Sequence, residues 1–205
     1  MKKRFALLLC AVLLTVALAA CGESPSVEPQ AEALSAYREI LEAAPALEGE
    51  PEERWDASLG YEENAAKFGK HYDTFALWDL DRDTVPELIA LSVVNFRWAP
   101  VSVFRYAEGQ AVLLHNPQDG EAPFTLWQNS SANGAFTLYL CEEGHIHSLW
   151  RGETPLGQVT EDHAYAPEGT SLRETDCPVG ENENAVFFPD VAKANTPEGR
   201  NAALH

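Results

Sequence analysis

The chain has 205 residues, with 32 Asp+Glu against 14 Lys+Arg and a formal net charge of −18. So acidic a balance speaks against a nucleic-acid binder, because phosphates call for a basic surface. A hydrophobic share of 45% speaks against disorder throughout, and the length suits one domain with a real core.

In chain order, Lys2, Lys3 and Arg4 come first, then an almost wholly apolar run from Phe5, then Leu18-Ala19-Ala20-Cys21. A charged start, an apolar middle and small residues at a cleavage point make an export signal. The apolar run is short for a membrane span, which takes about 20 residues. Its last four residues resemble a bacterial lipobox. That resemblance implies residues 1–20 as signal peptide and Cys21 as the acylated, palmitate-bearing first residue of the mature chain. It also implies an anchor on the extracytoplasmic face of a bacterial cell membrane. An ordinary secretory signal, or an uncleaved anchor with a chance Cys21, is the other reading. Without residues 1–20 the chain keeps 11 Lys+Arg against 32 Asp+Glu, a net −21. Such a charge would hold the folded part off an anionic membrane and leave the lipid as the attachment.

Residues 21–30 read as an acidic Pro/Ser tether, and residues 31–150 as the folded domain. Ala31 to Ala44 has Leu34, Tyr37, Ile40 and Leu41 at helical spacing, and Pro45 stops it. The acidic stretch 48–63 around Trp55 is expected to be a solvated connector. From Thr74 the pattern turns to short strands: Thr74–Trp78, Leu88–Val94, Val101–Tyr106, Ala111–His115, Phe124–Gln128, Ala135–Cys141 and Ile146–Trp150. Glu108-Gly109, Asn133-Gly134 and Glu142-Glu143-Gly144 are hairpin-turn signals between them. The expected fold is therefore α+β, an N-terminal helix packed on an antiparallel, blade-like β-meander. Residues 151–205, rich in Pro, Gly and acids, are expected to form a mostly irregular tail, with packing on the domain left open.

Chemistry enters at Asp79-Leu80-Asp81-Arg82-Asp83-Thr84-Val85-Pro86-Glu87, between two expected strands. Asp79, Asp81, Asp83 and Glu87, with the Val85 carbonyl, could converge on one hard cation; Ca2+ suits them, taking 6–8 oxygens in flexible geometry. An EF-hand would place its last Glu where Ala90 stands, and would need flanking helices. The pattern resembles the DxDxDGxxD calcium loop of FG-GAP and VCBS repeats. It is more closely similar to a group of bacterial lipoproteins of uncharacterised function, whose core is a strand, a DxDxDGxPEL-like loop and a second apolar strand. Here that core is Phe75 to Ile89, and the resemblance spans roughly residues 74–107. It implies Asp79, Asp81, Asp83 and Glu87 as ligands. Where the family pattern has Gly for a positive φ, this chain has Thr84, and a β-branched residue there costs on the order of 1–2 kcal/mol. The other reading is an acidic turn in which Asp side chains cap backbone amides.

Of four cysteines, Cys10 lies in the signal and Cys21 is the lipid site. Cys141 and Cys177 either pair, for roughly 3–4 kcal/mol, or stay as separate thiols. His145 and His147 point to one side of a strand as in some zinc sites, but without a third ligand by spacing they read as paired surface histidines. Trp98, Trp127, Trp150 and Tyr139 could form a stacking platform, though such aromatics more often pack a core. Two functions follow. The favoured one is a non-enzymatic cell-surface module that binds a protein, peptide or glycan around a structural calcium loop. The alternative is an extracytoplasmic metal-dependent hydrolase.

Overall fold

The computed structural model describes residues 27–48, 54, 56–60, 63–64, 67, 70–92, 101–114, 134–154, 157–176 and 185–205. Cys21, Cys177, Trp98, Trp127 and the expected strand Phe124–Gln128 lie outside that set.

Helix α1 (Val27–Ala43) starts before the expected Ala31, because Pro29 falls in the first turn, where its missing N–H loses no helical bond. Ala33, Tyr37 and Leu41 recur every fourth residue and are fully buried, with Leu34 and Ile40 beside them. These side chains lie on a sheet formed by β1 (Thr74–Trp78), β2 (Glu87–Leu91), β3 (Val101–Ala107) and β4 (Gln110–Leu113) in sequence order, with β10 (Lys193–Ala194) outside β1. Strand alternation divides the residues between two cores. Phe75, Leu88, Ala90 and Phe104 face α1. Ala76, Ile89, Val101 and Val103 face a second sheet, on Leu138, Leu140, Ile146 and Leu172. Burying each large side chain is worth about 1.5–3 kcal/mol, so both interfaces contribute to folding.

The second sheet has the order β8-β7-β6-β5-β9, from β5 (Gly134–Cys141), β6 (His145–Thr154), β7 (Gly157–Glu168), β8 (Ser171–Thr175) and β9 (Val186–Phe187). Every recorded strand pairing in both sheets is antiparallel. The protein is thus α+β, with its N-terminal helix on antiparallel sheet.

Two expectations are corrected. The tail from Arg151 is not mostly irregular. Besides the end of β6 it carries β7, β8, β9, helix α2 (Phe188–Val191), β10 and helix α3 (Pro197–Ala203). β7 is polar, with a proline near its end, and its length comes from backbone pairing along nearly all of β6 rather than from apolar residues. The stretch 48–63 is not simply a solvated connector either. Arg54 is buried and pairs with Asp73 at 2.7 Å, donating also to the Leu47 carbonyl. Just beyond it, Asn64 is fully buried and donates to the carbonyls of Asp56, Leu59 and Gly60.

The C-terminal segment joins the layers. β9 pairs with β5 at the edge of one sheet, and β10 pairs with β1 at the edge of the other. Between β10 and α3, buried Asn195 donates to the carbonyls of Leu41, Ala44 and Tyr72 and accepts from Arg200 at 2.7 Å. The carbonyls that end α1 are so satisfied by a side chain some 150 residues away.

Candidate metal centre

β1 and β2 pair in register from Thr74↔Leu91 to Trp78↔Glu87, which leaves residues 79–86 as the connecting loop. Its backbone is held by its own carboxylates. The Thr84 amide donates to Asp79 Oδ2 at 3.1 Å, the Asp83 amide to Asp81 Oδ1 at 3.2 Å, and the Val85 amide to Asp83 Oδ1 at 2.8 Å. Arg82 has φ 61° and Thr84 φ 76°, so the left-handed residue expected at position 84 is there despite its branched side chain.

Asp79, Asp81 and Glu87 each offer one oxygen, and the three lie within 4.8 Å of one another. Asp79 Oδ1 is buried with no hydrogen-bond partner. Glu87, 1% exposed, accepts from the Leu80 amide at 2.7 Å. Asp83 is outside this group; its exposed carboxylate turns to the Val85 amide. Val85 leans its side chain on the core beneath α1.

One residue that the loop pattern did not reveal is Arg105, at the end of β3. Its Nη2 contacts Asp81 Oδ2 and lies 3.9 Å from Asp83 Oδ2. A signal was present: Val101, Val103 and Arg105 share one strand face, and a cation following two buried valines needs a carboxylate. The charges are unevenly balanced. Burial, and then the charges of Asp81 and Asp83, push the Glu87 carboxyl up to about 8 against the opposing Leu80 hydrogen bond. Burial also raises Asp81, although Arg105 pulls the other way. With no cation present, a proton on Glu87 and the Arg105 guanidinium offset the crowded acids.

The donor set is all hard oxygen, which fits Ca2+ or Mg2+ and not a thiophilic metal. An orphaned, fully buried carboxylate oxygen is what a cation would satisfy. Asp79, Asp81 and Glu87 would hold it, with other oxygens completing a shell of six or more.

The loop also fastens the two sheets. Arg82 donates through Nε and Nη2 to the Glu142 carbonyl at 3.2 and 2.9 Å, and Trp78 Nε1 donates to the Cys141 carbonyl at 3.0 Å. Gly144, φ 91°, backs onto Leu80 so closely that a Cβ would stand 2.3 Å from the Leu80 oxygen.

His145 and His147 do share a face of β6, with ring centroids 6.1 Å apart. They are not a pair of surface residues: His147 is fully buried and His145 half-buried, and burial, then His147, lowers His145 against the pull of Glu143. Among the described residues, Asp79, Asp81 and Glu87 form the one group of three or more His, Cys, Asp or Glu close enough to share an ion. Cys141 is buried at the end of β5, and Cys177, with which it either pairs or stays a separate thiol, lies outside the described residues. Tyr139 packs on Phe187 at 5.6 Å, while the Trp150 side chain lies outside the described set. Among the described residues no helix is long and apolar enough to cross a membrane. Comparison with family models, curated proteins and solved structures finds no match.

Proposed function

We propose that this chain is a membrane-anchored extracytoplasmic lipoprotein, acylated at Cys21, that works as a non-enzymatic binding module around a structural calcium loop. The observation that carries the calcium reading is the cluster of Asp79, Asp81 and Glu87 oxygens with Asp79 Oδ1 buried and unpartnered. A structural role is supported by how the loop spends its other groups. Arg82 and Leu80 are committed to the second sheet, and Arg105 covers the acids from β3. An ion there would tie together β1, β2 and the joint between sheets. The ligand, a protein, peptide or glycan, would then bind elsewhere on a surface held rigid by the loop.

The test is thermal unfolding of the mature domain with and without Ca2+. Free Ca2+ at 100 times its Kd should add about 2.7 kcal/mol of stability by linkage. Asp81→Ala should remove the response. A melting temperature indifferent to millimolar Ca2+ and to chelator would leave the acidic turn, closed by Arg105, as the loop's whole role. The anchor is tested separately: Cys21→Ser should abolish acyl labelling and release the protein from the membrane fraction.

A further inference from the structure

We infer that the end of the molecule carrying the acidic loop faces the lipid bilayer, at a stand-off set by the tether. This rests on the reading of Cys21 as the lipidated residue. α1 begins at Val27, six residues after Cys21. Six extended residues reach at most about 20 Å.

Hydrogen bonds fix which end of the domain receives that tether. Glu32, early in α1, accepts from the Tyr106 hydroxyl at 2.9 Å, and Tyr106 sits where β3 runs into its turn to β4. The neighbouring Arg105 contacts Asp81 of the loop, and Arg82 of the loop holds the turn between β5 and β6. Gly169 and Thr170, the turn between β7 and β8, line a cavity of about 180 Å³ together with Arg105 and Glu108. Four hairpin connections and the start of α1 therefore share one end. The other end lies a strand length away: β6, ten residues, carries the chain about 33 Å from it. In the first sheet the opposite end is where Ala44, after the end of α1, meets Tyr72 and Asn195.

The exposed side chains at the shared end include Asp83, Glu108, Glu142, Glu143 and Glu168 against Arg82 and Arg173, the last paired with Glu168. An anionic headgroup surface repels such an end, but only within a Debye length of about 8 Å at physiological salt. The reach of six residues exceeds that. The end hovers over the bilayer without docking, and the opposite end, where β6 finishes and β7 starts, is presented outward.

The test uses the full lipoprotein, purified with its acyl group and reconstituted in phosphatidylcholine–phosphatidylglycerol vesicles that carry a lipid-linked energy-transfer acceptor. A donor fluorophore is placed through a non-natural residue either at Gln110, beside the turn between β3 and β4, or at Gln158, at the far end of β7. Transfer should be at least twofold more efficient from Gln110. Inserting twenty Gly/Ser residues ahead of Val27 should erase the difference. Equal transfer from both positions, or more from Gln158, overturns the orientation, as does a difference that survives the insertion. Intact mass keeps the two readings apart. Missing acyl mass at Cys21 defeats the anchor and the orientation with it, whereas acyl mass with equal transfer defeats the orientation alone.

Discussion

Two buried polar clusters sit at opposite ends of α1, and they are finished to different degrees. At its C-terminal end, Asn195 makes three side-chain bonds to the carbonyls of Leu41, Ala44 and Tyr72, and its own oxygen takes a bond from Arg200. The donors and acceptors of that amide are satisfied by the protein itself. At the other end, Asp79 Oδ1 is buried without a partner, and Glu87 is pushed far enough up to hold a proton at neutral pH. A neutral amide network can close on itself because each group brings both signs of hydrogen bond. A cluster of carboxylates brings only acceptors, and needs a proton, a guanidinium or a metal ion from elsewhere. The first cluster is a latch, and the second leaves a buried acceptor without a donor.

The largest way to sharpen that contrast is Asn195→Leu. It strands the carbonyls of Leu41 and Tyr72, takes one of two bonds from the Ala44 carbonyl and leaves Arg200 only its weaker contacts to the Asn195 carbonyl and Glu42, and should cost about 5 kcal/mol in urea unfolding, the same with Ca2+ or with chelator. A loss that depended on Ca2+ would mean that the two ends are coupled, not independent.

Next comes pH. Glu87 titrates near 4.5 in the unfolded chain and at about 8 in the folded protein. The folded state binds the extra proton between those values, so stability is full below about pH 4.5 and is lost as pH rises through about 8. The loss should be at most about 5 kcal/mol without Ca2+, and denaturation midpoints across that window measure it. Glu87→Gln should flatten the profile. Saturating Ca2+ should flatten it too if Glu87 is a ligand, and a slope unchanged by the metal would remove Glu87 from the site.

Gly144→Ala tests whether the loop fastens the sheets. A methyl 2.3 Å from the Leu80 oxygen, on a residue with φ 91°, should cost about 2 kcal/mol by thermal melting, and should lower Ca2+ affinity if the loop shifts. The smallest effect is expected from Thr84→Gly. It relieves strain at φ 76° but adds freedom to the unfolded chain, for a net gain of about 1 kcal/mol or less. A loss above that would show that the Thr84 side chain supports the loop.

Much of the first sheet was legible because its residues signal their own neighbours. Thr74–Trp78 was read to the residue, and Glu108-Gly109 turns β3 into β4 with φ 52° and 81°. The buried set Tyr37 and Leu41 followed from helical spacing alone. The tail was not legible, since β7 is long only because β6 is there to pair with, and no apolar period marks it. Within the site, the Asp side chains that cap their own loop were implied by local order, while Arg105 came from a strand 18 residues beyond the last acid.

The sequence alone determined the acidic balance, the helix, the strands with alternating apolar residues and the loop that joins β1 to β2. Those rest on local physics: periodicity, turn chemistry and side chains that bond to amides a few residues away. Tertiary structure decided that the chain makes two sheets, that its C-terminal segment latches α1, and which acids share a site. It also decided that Arg105 would face them and that Glu87 would be sealed from water. Those outcomes depend on desolvation and charge between residues far apart in the chain, which no local pattern encodes.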